Sequence, residues 1–261
     1  MENFEMNHIF SVSGRKAIVT GGTKGLGRSM ATCLLQNGCD VMLVSRRKEN
    51  LEDLQALAEE KGVQCVHHAC DITDTAAVRE MVAAAEMALG RIDILINSAG
   101  MNIVKMMEDM DDDSWDTVLD LNLKAGFVVM REVVQVMRKH RYGKIINISS
   151  MKSVMGTSSA GYTAYCASKG AVNMLTKQVA CEVAADGITV NAIAPTFIKT
   201  DINAHQLEDP VFYKSLTDRI PVGRIGTFRD LAGLTLLLAS DASQFITGQV
   251  IMLDGGITAR Q

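Results

Sequence analysis

A glycine-rich run, Thr20-Gly21-Gly22-Thr23-Lys24-Gly25-Leu26-Gly27, separates the first β-branched segment of the chain from its first helical segment. Gly21 can turn the chain tightly, Gly25 lets the backbone approach a bound group, and Gly27 permits close packing of helix on strand. The amino end of the helix also favours an anion at this point. Glycines occur in ordinary turns, but this position between a strand and a helix favours a dinucleotide-binding loop.

Short β-branched runs alternate with longer amphipathic runs, a pattern typical of β-α-β units and a parallel sheet. The predicted strands are 16–20, 40–44, 63–67, 92–96, 144–148, 189–193 and 250–253. The predicted helices are 26–37, 48–61, 75–89, 114–140, 162–185 and 229–238. We therefore expect an α/β fold, a Rossmann-like doubly wound parallel sheet of about seven strands with helices on both faces. With 3 prolines and no linker composition, residues 1–261 should form a single domain.

The composition excludes several classes of function. The chain has 26 Lys and Arg against 30 Asp and Glu, a net charge of -4, so nucleic acid is not an expected partner. No apolar run approaches the ~20 residues that span a bilayer, and Met1 to His8 lack a signal-peptide core, so neither a membrane nor export is expected. The six cysteines lack Cys-x-x-Cys spacing, which favours a reducing cytoplasm, and the five scattered histidines indicate no metal site.

The end of the second predicted strand indicates which dinucleotide is bound. A carboxylate there would bind the ribose hydroxyl of NAD, but this chain has Ser45-Arg46-Arg47-Lys48. Arg46 could pair with a 2'-phosphate, with Ser45 donating its hydroxyl and Lys24 adding positive charge. The pattern favours NADP(H) over NAD(H), although Arg47 and Lys48 also suit a solvated helix start.

Other predicted strands end in groups suited to the same ligand. Asp71-Ile72 could hold the adenine edge, or Asp71 could cap a turn. The small residues of Asn97-Ser98-Ala99-Gly100 would let a ribose and a nicotinamide lie against the backbone. Asn122 lies in a predicted helix, where a satisfied polar residue is the alternative, and Ser150 closes the fifth strand on the ligand side.

Tyr165-Cys166-Ala167-Ser168-Lys169 places a phenol and an amine four residues apart on a predicted helix. Residues at this spacing share one face, so the Lys169 ammonium would favour the charged form of Tyr165. The phenol could then exchange a proton with a carbonyl oxygen near neutral pH. Such pairs also arise by chance on helix surfaces, so the interpretation depends on the neighbouring motifs.

Taken together, these motifs resemble the short-chain dehydrogenase/reductase family. The glycine loop, Asn97 to Gly100, Asn122, Ser150, and Tyr165 with Lys169 follow the family's order over nearly the whole chain. The resemblance implies hydride transfer at a nicotinamide, coupled to protonation of a carbonyl oxygen on a small-molecule ketone.

The resemblance also implies a role for each residue. Tyr165 would be the general acid and base, Ser150 would polarise the carbonyl, and Lys169 would lower the tyrosine pKa and hold the nicotinamide ribose. Asn122 would hold a water molecule that links Lys169 to solvent. The residues around the nicotinamide would include Pro195, Ile198 and Thr200.

The chain departs from the family pattern in two places. Tyr165 lies two residues farther from Ser150 than is usual, so Ser149 or Ser153 could take the serine role, although we favour Ser150. Pro195 is followed by Thr196 where the family commonly has glycine, which could tighten the backbone beside the nicotinamide.

Several stretches, including Asn147 to Ser153 and Phe197 to Asp201, resemble the gluconate 5-dehydrogenase group. That likeness implies a sugar acid or related polyol as substrate, with 3-oxoacyl thioesters, steroid ketones and a non-catalytic nucleotide sensor as alternatives. Residues 196–220 form the expected substrate lid. The polar groups available to such a substrate include Lys152, Lys199, Asn203 and His205, each of which would also suit a solvated surface.

The two long predicted helices, 114–140 and 162–185, are apolar around much of their circumference. Deep burial within one subunit would explain this pattern. The family resemblance instead implies a homo-oligomer built on these helices, with a tetramer favoured over a dimer.

Overall fold

The computed structural model describes residues 6–47, 51–157 and 161–260. The start of the chain before residue 6 and the predicted helix start at Lys48 lie outside the described residues. The strands are β1 Lys16–Thr20, β2 Asp40–Ser45, β3 Cys65–Ala69, β4 Ile94–Asn97, β5 Gly143–Ile148, β6 Ile188–Pro195 and β7 Val250–Leu253. They form a seven-stranded sheet in the order β3-β2-β1-β4-β5-β6-β7, and every neighbouring pair is parallel.

Helices cover both faces of this sheet. They are α1 Met6–Ile9, α2 Gly25–Gln36, α3 Glu52–Lys61, α4 Thr75–Leu89, α5 Asp112–Leu119, α6 Ala125–His140, α7 Thr163–Val183, α8 Pro210–Thr217 and α9 Phe228–Ala239. One apolar cluster joins α4, α6 and α7 to the sheet, and another joins α2, α3 and α9 to its opposite face. The predicted fold class is confirmed. Among the described residues, none of the helices has both the length and the apolar character to cross a membrane.

Several element boundaries differ from those predicted, for local reasons. Val63 was expected to begin a strand, but its N–H donates to Ala58 O at 2.9 Å and so belongs to the helix cap. The predicted helix 114–140 begins earlier, because the Asp111 side chain accepts the Ser114 N–H and caps α5. It is also divided by a π-helical turn at Asp120–Lys124.

Helix α8 was not predicted from the sequence. Asp209 caps it by accepting the Val211 N–H, and Pro210 occupies its first turn. With only eight residues, this helix has too few turns for its apolar spacing to be distinguished from that of a loop.

The glycine loop forms a very close junction between β1 and α2. Gly21 has a φ of +64°, and its N–H donates to Val44 O at 2.8 Å, which ties the loop to β2. A Cβ at Gly27 would lie 2.3 Å from Gly21 O. The backbone of α2 can therefore reach the strand end only because residue 27 has no side chain.

Replacement of Gly27 by alanine should destabilise the protein by about 1–3 kcal/mol, since the new methyl group overlaps backbone that must shift. Gly233 is a matched control, because it lies in α9 with no atom within 4 Å of its Cβ position. Gly233→Ala should stabilise the fold by about 0.5–1 kcal/mol. Urea denaturation measures both, and a Gly27→Ala midpoint equal to that of the wild type would contradict the close junction.

Candidate active site

A cleft of about 1090 Å³ lies beyond the carboxyl ends of the strands. The loops that follow β1 to β6 all contribute to its wall, as expected where parallel strands end on one edge. The predicted site residues that line it are Gly21, Thr23, Lys24, Gly25, Leu26, Ser45, Arg46, Asp71, Ile72, Ala99, Gly100, Ser150, Tyr165, Lys169 and Pro195. Five predicted residues do not line it: Gly27, Asn97, Asn122, Ile198 and Thr200.

Helix α7 places Tyr165 and Lys169 one turn apart at the inner end of this cleft. Lys169 Nζ lies 5.7 Å from the centroid of the Tyr165 ring and donates to Ile148 O at 2.7 Å. The Ser150 side chain hydrogen-bonds the Tyr165 phenol. The three predicted groups are therefore assembled at one point, where the end of β5 faces α7.

Burial shifts the pKa values of Tyr165 and Lys169. It raises the pKa of Tyr165 above its ordinary value, and the hydrogen bond with Ser150 opposes that shift. Burial also lowers the pKa of Lys169 from 10.5 to about 8. Lys169 was expected to lower the pKa of Tyr165, but desolvation of the phenol exceeds any such effect in this structure.

The other two candidate serines have their hydroxyls engaged elsewhere. Ser149 donates to Asn173 Oδ1 at 2.6 Å, and Ser153 donates to Ser150 O at 2.6 Å. A serine hydroxyl has one hydrogen to donate, so neither is available to a ligand in this arrangement. Ser150 is the serine that contacts the phenol, despite the longer spacing to Tyr165.

Asn122 lies in the π-helical turn behind the cleft rather than on its wall. Its amide nitrogen donates to Met101 O at 2.8 Å and to Ser168 Oγ at 3.0 Å, while its oxygen accepts the Met101 N–H at 2.8 Å. Both amide hydrogens are thus used, and only one acceptor position remains for a water molecule. A Cβ at Gly100 would lie 3.1 Å from Asn122 Oδ1 and 3.5 Å from Lys169 Nζ.

Asn97 also points away from the cleft. Its amide nitrogen donates to Asn147 Oδ1 at 3.0 Å and to Gly126 O at 3.4 Å, so its side chain links β4 to β5 and α6. The neighbouring Ala99 and Gly100 line the cleft, one with a methyl group and the other with bare backbone.

The residues predicted to bind a 2'-phosphate, Lys24, Ser45 and Arg46, line the opposite end of the cleft. Arg46 is exposed there, but the Ser45 hydroxyl donates to Arg47 O at 2.7 Å and lies 2.9 Å from His67 Nε2. Ser45 must therefore turn before it can donate to a phosphate. Asp71 lines the cleft and also accepts the Thr73 N–H and hydroxyl, which, with Arg46, hold the pKa of its carboxyl below the ordinary value.

The segment after β6 reaches the cleft with different residues from those expected. Thr196 lines it, and Thr196 Oγ1 has no hydrogen-bond partner within the part of the chain that the structure describes. Ile198 is buried beside Gly226 instead. Asn203 was a candidate for substrate contact, but it accepts the Thr200 N–H and donates to Ile198 O, both at 2.8 Å.

Sequence reasoning missed several residues of the wall. Met151 and Asn102 follow predicted strand-end motifs at short spacing, so a wider window around those motifs would have included them. Phe197 and Ile202 lie within the expected lid, 196–220, but this irregular segment has no periodicity to indicate which of its side chains face the ligand. Across the described ranges, no group of three or more His, Cys, Asp and Glu side chains could hold a metal ion.

Known proteins are similar to this chain in sequence and in fold. A family model described as enoyl-(acyl carrier protein) reductase matches residues 21–258. The chain is 38% identical to the gluconate 5-dehydrogenase of Gluconobacter oxydans, over 97% of this chain and 99% of the relative. It is 37% identical to a 3-oxoacyl-(acyl-carrier-protein) reductase of Thermotoga maritima, over 94% of this chain and 98% of the relative.

A solved structure extends the likeness to three dimensions. A gluconate 5-dehydrogenase from Burkholderia cenocepacia, crystallised in complex with NADP and tartrate, is similar with a TM-score of 0.91 and 33% identity, covering 98% of this chain and all of that one. With the family match over most of the chain, these likenesses settle its membership. The chain belongs to the short-chain dehydrogenase/reductase family and is an oxidoreductase that acts on CH–OH groups.

Proposed function

We propose that the protein is an NADP(H)-dependent oxidoreductase that interconverts a secondary alcohol and a ketone on a sugar acid or a related polyol, as gluconate 5-dehydrogenase does. The observation that carries the proposal is a single cleft that joins the glycine loop to Ser150, Tyr165 and Lys169. One end of the cleft suits a dinucleotide phosphate, and the other suits proton transfer to a carbonyl oxygen.

Two features of the cleft fit a dinucleotide. Gly100 lines the cleft without a side chain, so a flat group can approach its backbone closely. Thr196 and Asn102 line the cleft, and the side-chain oxygens Thr196 Oγ1 and Asn102 Oδ1 are buried without a hydrogen-bond partner in the described ranges. A ligand amide or hydroxyl that reached them would satisfy them. When bound, the dinucleotide would supply or accept a hydride at its nicotinamide ring.

The residues of this chain would then transfer the proton to and from the substrate oxygen. In the direction of reduction, the Tyr165 hydroxyl would donate its proton to the substrate oxygen while Ser150 donates a hydrogen bond to the same oxygen. The raised pKa of Tyr165 keeps its proton in place until that oxygen gains charge. Lys169, with a pKa of about 8, would be mostly protonated at neutral pH and would help to return a proton to the phenol.

The preference for NADP(H) rests on Arg46. It is exposed at the end of β2, where a carboxylate would repel a 2'-phosphate, and it lines the cleft. Its acidic neighbour, Asp71, is held in a turn by Thr73, and the Arg46 charge lowers the pKa of that carboxyl, so a 2'-phosphate would compete with Asp71 for the guanidinium. The Burkholderia cenocepacia relative, which binds NADP, supports the same choice.

Positive charge near Ser150 and Tyr165 supports an acidic substrate. Lys152 lines the main cleft and also a second cavity of about 410 Å³, which it shares with Arg219 and Arg260. Burial lowers the pKa of Lys152, and the Arg219 charge also lowers it, while Cys166 opposes the shift. The acid on this wall, Asp218, is paired with Lys214. An anionic substrate would relieve the repulsion between the cations.

A 3-oxoacyl thioester is the alternative substrate, because the Thermotoga maritima relative acts on that class. We favour the sugar acid, since tartrate, a small hydroxy acid, is present in the Burkholderia cenocepacia complex. We propose that the whole chain acts as one catalytic domain, and that residues 196–220 cover the substrate. This segment contributes Thr196, Phe197 and Ile202 to the cleft and Arg219 to the second cavity.

We also propose how the protein assembles and where it is located. Trp115 on α5, Phe127 on α6 and Met174 on α7 are exposed, and apolar side chains on these helices suit pairing between subunits of a homo-oligomer, with a tetramer favoured. All six cysteines are free thiols, which fits the reducing cytoplasm that we propose as the location.

Tyr165→Phe should abolish turnover, by about 10²–10⁴-fold, because it removes the hydroxyl that exchanges the proton. Binding of NADPH should change little, since the ring remains. Tyr162→Phe is the matched control, because its ring lies 6.2 Å from that of Tyr165 in the same cleft. Steady-state rates and fluorescence titration with NADPH measure the two effects, and turnover retained in Tyr165→Phe would remove this residue as the acid.

Arg46→Ala should weaken NADPH binding about 10-fold or more, because a charge-assisted pair with the 2'-phosphate contributes about 1.5–3 kcal/mol. NADH binding should be nearly unchanged. Arg47→Ala, at the neighbouring exposed position, should have the smaller effect of a nearby charge. Equal losses for NADPH and NADH in Arg46→Ala, measured by calorimetry, would count against the assignment.

Arg219→Gln should raise the KM for gluconate about 3- to 5-fold, as expected for a partly exposed ion pair. The KM for glucitol, which has a hydroxymethyl group in place of the carboxylate, should not change. Lys199→Gln is the control, because Lys199 is exposed in the same segment but lines neither cavity. A parallel rise for both substrates would show that Arg219 does not recognise the carboxylate.

A further inference from the structure

A carboxylate of the chain itself occupies the amino end of α2. Asp201 Oδ1 accepts the Gly25 N–H at 2.8 Å. Gly25 is the first residue of α2 and lies in the glycine loop. Ile202 covers the same place, since a Cβ at Gly25 would lie 2.7 Å from Ile202 Cδ1. Two consecutive residues of the segment after β6 thus lie over the loop that was predicted to bind phosphate.

The Asp201 carboxylate occupies a position that an anionic ligand would also prefer. Free N–H groups and the helix dipole at a helix amino terminus attract negative charge. The Gly25 N–H has a single hydrogen, and the bond to Asp201 uses it. A phosphate oxygen that sought the same donor would have to displace the carboxylate, because two anions in contact repel each other.

The residues before Asp201 are fixed, so displacement would begin there. Gly226 N donates to Phe197 O, and Lys199 N donates to Gly226 O, each at 2.9 Å, which holds 197–199 in a β-bridge. Asn203 bonds back to Ile198 and Thr200, so release of the residues after Asp201 would also break these two contacts. The Asp201 carboxylate makes a polar contact between this segment and the glycine loop, and the rest of the proposed substrate cover follows it in the chain.

We propose that Asp201 holds the segment over the glycine loop until the pyrophosphate of a dinucleotide takes its place, so that dinucleotide binding releases residues 201–208. The inference rests on the proposed dinucleotide function and adds its regulation. Binding of the dinucleotide would thereby precede closure of the segment over the substrate, because the segment cannot leave the loop while its carboxylate is bound there.

Asp201→Asn tests the proposal, because the amide keeps the size of the side chain but loses the charge. We expect the Kd for NADPH to fall about 2- to 5-fold, the range for a charge at a helix terminus. Glu208→Gln is the control, since it removes an equal charge from the same segment at an exposed position outside the cleft wall. Calorimetry gives the three Kd values.

Hydrogen exchange of the amides in residues 201–208 provides a readout that does not require activity. In the wild type and in Glu208→Gln, inorganic pyrophosphate should accelerate exchange. In Asp201→Asn, exchange should already be fast without it. Unchanged exchange and an unchanged Kd in Asp201→Asn would overturn the proposal. If NADPH bound to no variant while pyrophosphate still released the segment, the contact would be supported and the dinucleotide assignment would fail.

Discussion

The close approach of α2 to the end of β1 sets the position of the functional groups around it. Gly27 has no side chain, so the first turn of α2 lies against Gly21 O and its amino end opens onto the edge of the sheet. Because all the strands are parallel, the residues that follow them meet at the same edge. Arg46, Ser150 and Pro195 come together there, although they are far apart in the sequence.

Burial of Tyr165 and Lys169 affects the two ionisations in opposite directions. Desolvation disfavours both charged forms, so it raises the pKa of the phenol and lowers that of the amine. The same burial would therefore favour the acid role that we propose for Tyr165 over a base role. A positively charged oxidised nicotinamide near the phenol would offset this preference, so the balance between alcohol oxidation and ketone reduction would depend on which form of the dinucleotide is bound.

The fold and most of the cleft were predictable because they depend on patterns that are local in the sequence. The glycine loop, the strand ends and the spacing of Tyr165 and Lys169 indicated the edge of the sheet and the helix that meet there. The side-chain partners were not predictable, since Asn122 and Asn203 bind backbone groups that adjoin them only in the folded chain. The net shift of the Tyr165 pKa was not predictable either, because the burial that raises it is a property of the tertiary structure.

The segment after β6 contacts both ends of the cleft. Pro195 lies on the wall beside the catalytic group, and Asp201 binds the glycine loop. The bridge between Ile198 and Gly226 anchors 197–199 between these two points, so a displacement of Asp201 would be taken up by the residues that follow it and not by Pro195. The coupling that we propose between the phosphate end and the substrate end would therefore pass through the later part of the segment, which contributes Arg219 to the second cavity.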